Sequence, residues 1–326
     1  MALIRTSDLP AFDDMEGGGI EVVGEASADV LRVGLLNLMP DAALRATDRQ
    51  FVRLVSAGAH DRDVAVLPFT VAAEARGAEA QTHIAQHYSS FESLREDGLD
   101  ALIVTGANPA QHLLEEEAFW PGLGDVLDWA AKETRSVLCS CLATHAVLQR
   151  HMGLMRTRLP EKRWGVYDHH RVGEDTLLDG LDGTVEAPHS HWYDVTRTEF
   201  ESLGLRVLLE SDQAGVHMVV DPDDFWVFFQ GHPEYDLVSL LKEYRRELGR
   251  FWRGERDDYP PVPENYFDAA TAQELEQYRP VLEAARVDGS NPPRLNETRL
   301  LPKDPHPWNS QGQVIFANWL ERVAGA

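Results

Sequence analysis

Ser136-Val137-Leu138-Cys139-Ser140-Cys141-Leu142-Ala143-Thr144-His145-Ala146-Val147-Leu148 reads as a buried strand, a sharp turn and a helix. The turn sets the Cys141 thiol over a sheet edge. The first turn of the helix aims unpaired backbone N–H groups and the positive end of its dipole at the sulfur, which favours thiolate and supplies donors for an oxyanion. This is the logic of a nucleophile elbow. Strand alternation sends Cys139 to the same side, but only Cys141 occupies the turn, so Cys139 reads as a packing residue. A second strand, Phe225-Trp226-Val227-Phe228-Phe229-Gln230, runs into Gly231-His232-Pro233-Glu234-Tyr235-Asp236. Cys141, His232 and Glu234 then supply nucleophile, base and orienting carboxylate. Taken singly, a cysteine after an apolar run is a small buried hydrophobe and a His-x-Glu is a solvated turn. Together at the C-terminal ends of two strands, where open α/β sheets carry their chemistry, they read as a catalytic site.

Length and composition fit a cytoplasmic enzyme. At 326 residues the chain can bury a large core. With 54 acidic against 30 basic residues the net charge is −24, which disfavours a nucleic-acid partner and reads as solubility. Two cysteines in Cys-x-Cys spacing make no disulfide framework, Met1-Ala2-Leu3-Ile4-Arg5 lacks an apolar leader, and no apolar stretch is long enough to span a membrane.

Residues 1–30 are expected to be irregular, with Gly17-Gly18-Gly19 as a flexible break. Residues 31–326 read as a single α/β domain with an extension around 257–307. Strands are expected at Leu31–Leu38, Val64–Phe69 and Ala101–Gly106, with helices through Thr47–Val55 and Trp120–Glu133 between them. Strands alternating with helices predict a mostly parallel sheet with helices on both faces. Beyond the elbow helix the pattern is more β-like, through Trp164–Tyr167, Arg206–Glu210 and Val216–Val220. Helices follow over Leu237–Trp252, Ala269–Arg286 as a surface helix, and Val314–Leu320.

Asn37-Leu38-Met39-Pro40, Thr105-Gly106-Ala107, Glu161-Lys162, Gly165-Val166-Tyr167-Asp168-His169-His170, Ala187-Pro188-His189-Ser190, Gly231-His232-Pro233-Glu234-Tyr235-Asp236 and Trp308-Asn309-Ser310-Gln311-Gly312 occur in this order. Together they resemble the homoserine O-acyltransferase (homoserine transsuccinylase) family of methionine biosynthesis. The resemblance implies a class I glutamine-amidotransferase-like α/β fold and ping-pong acyl transfer from acyl-CoA, as co-substrate, to the homoserine hydroxyl. It implies that Cys141 carries the acyl thioester, that His232 is the general base and that Glu234 orients it. It also implies that Lys162, Ser190 and Arg246 contact substrate, and it suggests a homodimer. A guanidinium suits an amino-acid carboxylate, with lysine as a point charge.

Three departures from the family pattern stand out. Asp41–Thr47 replaces a lysine-bearing loop, Leu142-Ala143-Thr144-His145 replaces the usual residues after the nucleophile, and Ala269–Pro305 is longer. Donor choice in the family turns on a position that aligns with Ala110. Being small and uncharged, it neither fills the pocket nor repels a carboxylate, so succinyl-CoA is favoured over acetyl-CoA. The rival readings are a homoserine or serine O-acetyltransferase, a glutamine amidotransferase and a non-catalytic binding module. Against the amidotransferase, Cys139 and Ala143 stand where that class places glycines beside its thiol. His169-His170 and His189-x-His191 match no structural zinc spacing, so they read as core or loop histidines, with no metal and no cofactor beyond the co-substrate.

Overall fold

Short apolar runs separated by amphipathic ones fold as strands alternating with helices. The computed structural model describes residues 2–24, 30–59, 62–303 and 306–326. The chain opens with β1 (Leu3–Ile4), α1 (Pro10–Gly17) and β2 (Val22–Val23). There follow β3 (Leu31–Leu36), α2 (Leu44–Gly58), β4 (Val64–Phe69), α3 (Ala78–His87), α4 (Phe91–Asp97) and β5 (Ala101–Val104). Next come α5 (Trp120–Glu133), β6 (Ser136–Ser140), α6 (Leu142–Met152), β7 (Thr157–Arg171), β8 (Val185–Asp194) and α7 (Arg197–Ser202). The rest is β9 (Arg206–Ser211), β10 (Gly215–Val220), β11 (Trp226–Phe229), α8 (Ser239–Trp252), α9 (Ala269–Asp288), α10 (Glu297–Leu300) and α11 (Trp308–Gly325).

All these strands join one sheet in the order β2-β1-β4-β3-β5-β6-β11-β10-β9-β7-β8. Pairing is parallel from β2 to β11 and antiparallel from β11 to β8. The change of direction falls beside β6 and β11, so the C-terminal ends of these two strands lie side by side on one edge of the sheet. Alternation divides the core between two faces. Leu35 and Leu138 pack on one face with Phe51 and Val55 of α2 and Phe316 and Trp319 of α11. Leu36, Val137 and Cys139 pack on the other with Leu123 and Leu127 of α5 and Ala146 and Val147 of α6. A third cluster holds α8 and the extension together: Tyr244 and Leu248 meet Leu275, Leu282, Leu300 and Trp308, against Trp164 of β7. No helix among the described residues is long and apolar enough to cross a membrane.

The layered α/β architecture is as expected, with three corrections. The N-terminal stretch is not irregular: β1 pairs in parallel with both β2 and β4, and Leu3, Leu9, Phe12 and Met15 are buried. Two-residue strands carry too little periodicity to be seen in a sequence. The Gly17–Gly19 run ends α1, where the Gly18 and Gly19 N–H groups bond back to helix carbonyls. Residues 25–29 of that stretch, and 304–305 of the 257–307 extension, lie outside the described residues. Helices α3 and α4 and strand β8 complete regions that the sequence left unassigned, whereas α9 is the surface helix expected, burying only Thr271, Leu275, Leu282 and Ala285.

Candidate active site

Cys141 caps α6 with φ +51° and ψ −107°, a conformation that costs a non-glycine residue about 1–3 kcal/mol. Neighbouring groups hold it there. Its N–H donates to the Phe229 carbonyl at 2.7 Å and its own carbonyl accepts from Thr144 N–H at 3.1 Å. The Thr144 hydroxyl lies 3.2 Å from the Cys139 carbonyl and 3.1 Å from that of Phe229, tying α6 to both central strands. Thr144 belongs to the segment that departs from the family pattern, and this strap is its structural role. Cys139 is fully buried and burial pushes its thiol pKa far up, whereas Cys141 is partly open.

Register brings the base to the nucleophile: Phe229 of β11 lies opposite Ser140 of β6, so the chain leaving β11 passes Cys141. His232 N–H donates to the Pro188 carbonyl at 2.7 Å, and its Nδ1 lies 2.7 Å from Glu234 Oε1. Burial disfavours the charged imidazole, but the Glu234 carboxylate and a hydrogen bond with Cys141 outweigh it and lift the His232 pKa well above the usual value. The arrangement thus favours the imidazolium form of His232, with the Glu234 carboxylate behind it and the Cys141 sulfur before it. Tyr235 stacks on the imidazole, ring centroids 4.3 Å apart.

Lys162 and Ser190 converge on a residue that sequence reading missed. Glu243 of α8 is largely buried, its Oε2 accepting from Lys162 Nζ at 3.0 Å and Ser190 Oγ at 2.6 Å, its Oε1 from Tyr235 OH at 2.8 Å. Burial opposes its ionisation, yet Lys162 and the two hydroxyls hold its pKa down at about 2. Lys162 also lies 4.3 Å over the Trp164 ring. Glu243 sits one helical turn before Arg246 on the same face of α8, and that spacing was the available signal. Arg246 itself reaches solvent, 56% exposed, with its Nε 3.3 Å from Glu247. It is therefore not drawn into the Lys162–Glu243 cluster. Ala110 lies exposed on the β5–α5 connection. The start of that connection abuts the nucleophile, since a side chain at Gly106 would come within 3.5 Å of Cys141 Cβ.

Behind His232 lies a buried histidine cluster. His169 and His189, expected as core or loop histidines, are buried and meet each other and His217 of β10, with one nitrogen from each within 4.8 Å of the others. His170 stays exposed. His169 Nδ1 faces the Val185 carbonyl at 3.1 Å and His191 Nδ1 that of Tyr193 at 2.7 Å. Between them His189 meets His169 at 3.1 Å and His191 at 3.0 Å. Both carbonyls and both nitrogen pairs need a hydrogen, and three neutral imidazoles carry one fewer than that. One nitrogen pair is therefore unbridged unless the cluster takes up a further proton or a cation. Burial lowers the pKa of His169 to about 4 and of His191 to about 3, which keeps these rings neutral. A cleft of about 1040 Å³ bordered by Val71, Tyr88, Phe91 and Trp129 contains none of these residues.

Comparison with known proteins agrees with the geometry. The family model for homoserine O-succinyltransferase (HTS) matches residues 2–325. A homoserine O-succinyltransferase of Methylobacter tundripaludum is 45% identical over 330 residues, covering 99% of this chain and 93% of that protein. Another, from Methylococcus capsulatus, is 46% identical over 331 residues with the same coverage. Among solved structures, a glutamine amidotransferase of Thermotoga maritima superposes with a TM-score of 0.51 at 13% identity, over 91% of this chain and 99% of that one. That likeness bears on the fold alone.

Proposed function

The chain belongs to the homoserine O-succinyltransferase family, and from that premise we propose that it moves a succinyl group from succinyl-CoA to the homoserine hydroxyl through a thioester on Cys141. It is an acyltransferase. The observation that carries the route is the pairing of a partly open thiol at a helix N-terminus with a buried His232–Glu234 dyad.

In the first half-reaction the Cys141 thiolate attacks the succinyl-CoA carbonyl, and the backbone amides of the first turn of α6 receive the developing oxyanion. The carbon–sulfur bond to CoA breaks, and the departing CoA thiolate takes the proton from His232. In the second, neutral His232 accepts the homoserine hydroxyl proton as that oxygen attacks the thioester. Cys141 then leaves as thiolate beside a re-formed imidazolium. Glu234 holds the ring and stabilises its charge throughout. Lys162, Ser190 and Arg246 are assigned to the amino-acid substrate, with Glu243 fixing the Lys162 ammonium and the Ser190 hydroxyl. Ala110, small and uncharged, is assigned to tolerance of the succinyl tail. The enzyme acts in the cytoplasm on small molecules, and its two thiols are unpaired. A homodimer is the proposed assembly.

Two measurements test this. Purified protein given succinyl-CoA without acceptor should gain one succinyl group on the peptide bearing Cys141, and Cys141→Ala should gain none. Release of free CoA should then require homoserine in every round after the first. Acylation that persists in Cys141→Ala, or that maps to Cys139, would remove Cys141 from this role.

A further inference from the structure

We propose that Arg156 and His145 form the subsite that grips the distal carboxylate of the succinyl group while its carbonyl is bonded to Cys141. The inference rests on the acyl-transfer reading above and specifies how the donor is recognised.

Arg156 lies between α6 and β7. Its guanidinium carbon sits 3.7 Å from the centre of the Tyr193 ring, which covers one face of the cation. Its Nη2 is buried and bonded to nothing. In a chain with 54 acidic residues against 30 basic ones, an arginine finds a carboxylate easily, as Arg150 does with Asp128 and Arg322 with Asp175. Arg156 forms no ion pair among the described residues. Arg156 is half-buried, and withdrawing the Nη2 end of its guanidinium from water without an anion carries a cost that an anion supplied from outside would offset.

The location says which anion. The groups that draw on the Arg156 charge are Tyr193, Cys141 and Glu117, so the guanidinium stands within electrostatic reach of the nucleophilic sulfur. Burial weighs against its charge, and an anionic ligand would reverse that. His145 follows the nucleophile by four residues, on the same face of α6. It is almost wholly buried, and among the described residues neither ring nitrogen makes a well-formed hydrogen bond, the backbone of Tyr193 being its one polar neighbour. Burial, then the Arg156 charge, pushes its pKa down to about 3, so it is a neutral ring with an N–H to donate. A cation with a free N–H beside a neutral donor is the combination a carboxylate needs. Glu117 belongs to the same β5–α5 connection as Ala110, so that connection also comes within reach of Arg156.

Two other anions are available and fit less well. The phosphates of CoA are held from the thioester by the length of the pantetheine arm, so they do not reach a cation this close to Cys141. The homoserine carboxylate is assigned above to Lys162 of β7 and Arg246 of α8, which are separate cations. The succinyl carboxylate is only two methylene groups from the acyl carbonyl, which suits a residue near the nucleophile.

The test compares Arg156→Met and Arg156→Lys with the wild type, using succinyl-CoA and acetyl-CoA against homoserine. Arg156→Met should lower kcat/KM for succinyl-CoA by about 100-fold, with a loss for acetyl-CoA at least about tenfold smaller and the homoserine KM unchanged. Arg156→Lys, which keeps the charge and loses the fork, should fall between and serves if the methionine variant does not fold. Equal losses on both donors, or a rise in the homoserine KM, would overturn the subsite while leaving acyl transfer in place. A wild type that prefers acetyl-CoA would overturn it too. A wild type that transfers neither group would instead overturn the functional reading, and the subsite with it.

Discussion

In the proposed mechanism the imidazole of His232 does two opposite things, giving a proton to departing CoA and taking one from an alcohol. Its neighbours bias it toward the charged form: Glu234 and Cys141 raise its pKa against a burial cost that alone would lower it. Replacing Glu234 by Gln removes the leading upward influence. Because the charged ring is the form that protonates CoA, the alkaline limb of the kcat/KM profile should move to lower pH in Glu234→Gln, with activity reduced but measurable. His232→Ala should lose about a thousandfold or more in both half-reactions. An alkaline limb that stays in place, or thioester formation at wild-type rate in His232→Ala, would assign the base elsewhere. Cys141, His232 and Glu234 were legible in the sequence as candidates because they stand at strand ends, and the structure brings them together. Glu243 and Arg156 were not. Each is an ordinary charged residue in its own segment, and only partners distant in sequence, or their absence, give it meaning. Arg246, assigned by resemblance alone, instead points to solvent.

Strand termini govern the next scale. β6 and β11 end together, and the turn after β11 is threaded between the nucleophile and the histidine cluster. Gly231 is the narrow point of this thread, since a methyl group there would lie 2.7 Å from His189 Nε2 and 2.9 Å from His217 Nδ1. Both rings are enclosed and cannot swing aside. Gly231→Ala should therefore destabilise the protein by about 1–3 kcal/mol, read as a lower urea midpoint with an unchanged slope. An unchanged midpoint would mean that the histidines repack freely. The strands with continuous apolar runs were legible with their ends correct to a residue or two, as was α5. Strand β8 was missed as an element because Pro188 and the alternating polar residues of Ala187–Tyr193 break the apolar pattern, although they face a partner strand along most of their length. Helices α3 and α4 were missed because they are polar and bury few side chains.

Taken whole, the molecule carries its −24 charge on a surface where only four of the 30 basic residues are lysines. Arginine pairs neutralise part of the acidity, and the remainder repels itself. Raising KCl from about 0.1 to 1 M shortens the screening length from about 10 to 3 Å, so the melting temperature should rise with salt. A fall would show that the exposed arginine–carboxylate pairs outweigh the repulsion. Overall class was legible because alternation of strand and helix is a long-range pattern, whereas the completion of the sheet by β1 and β2 was not, being made from two residues each. That completion has a consequence for how the protein is made. β1 is synthesised before its partner β4, which follows some 60 residues later, with Val64 N–H reaching back to the Ala2 carbonyl at 3.1 Å. β2 joins the sheet only through β1. Until β4 has been synthesised, the first strand has only β2 to pair with. A chain trimmed of its opening residues would uncover Val64 and Ala65 and so extend the unpaired edge over the whole of apolar β4, inviting a second nascent chain to add its own strand there.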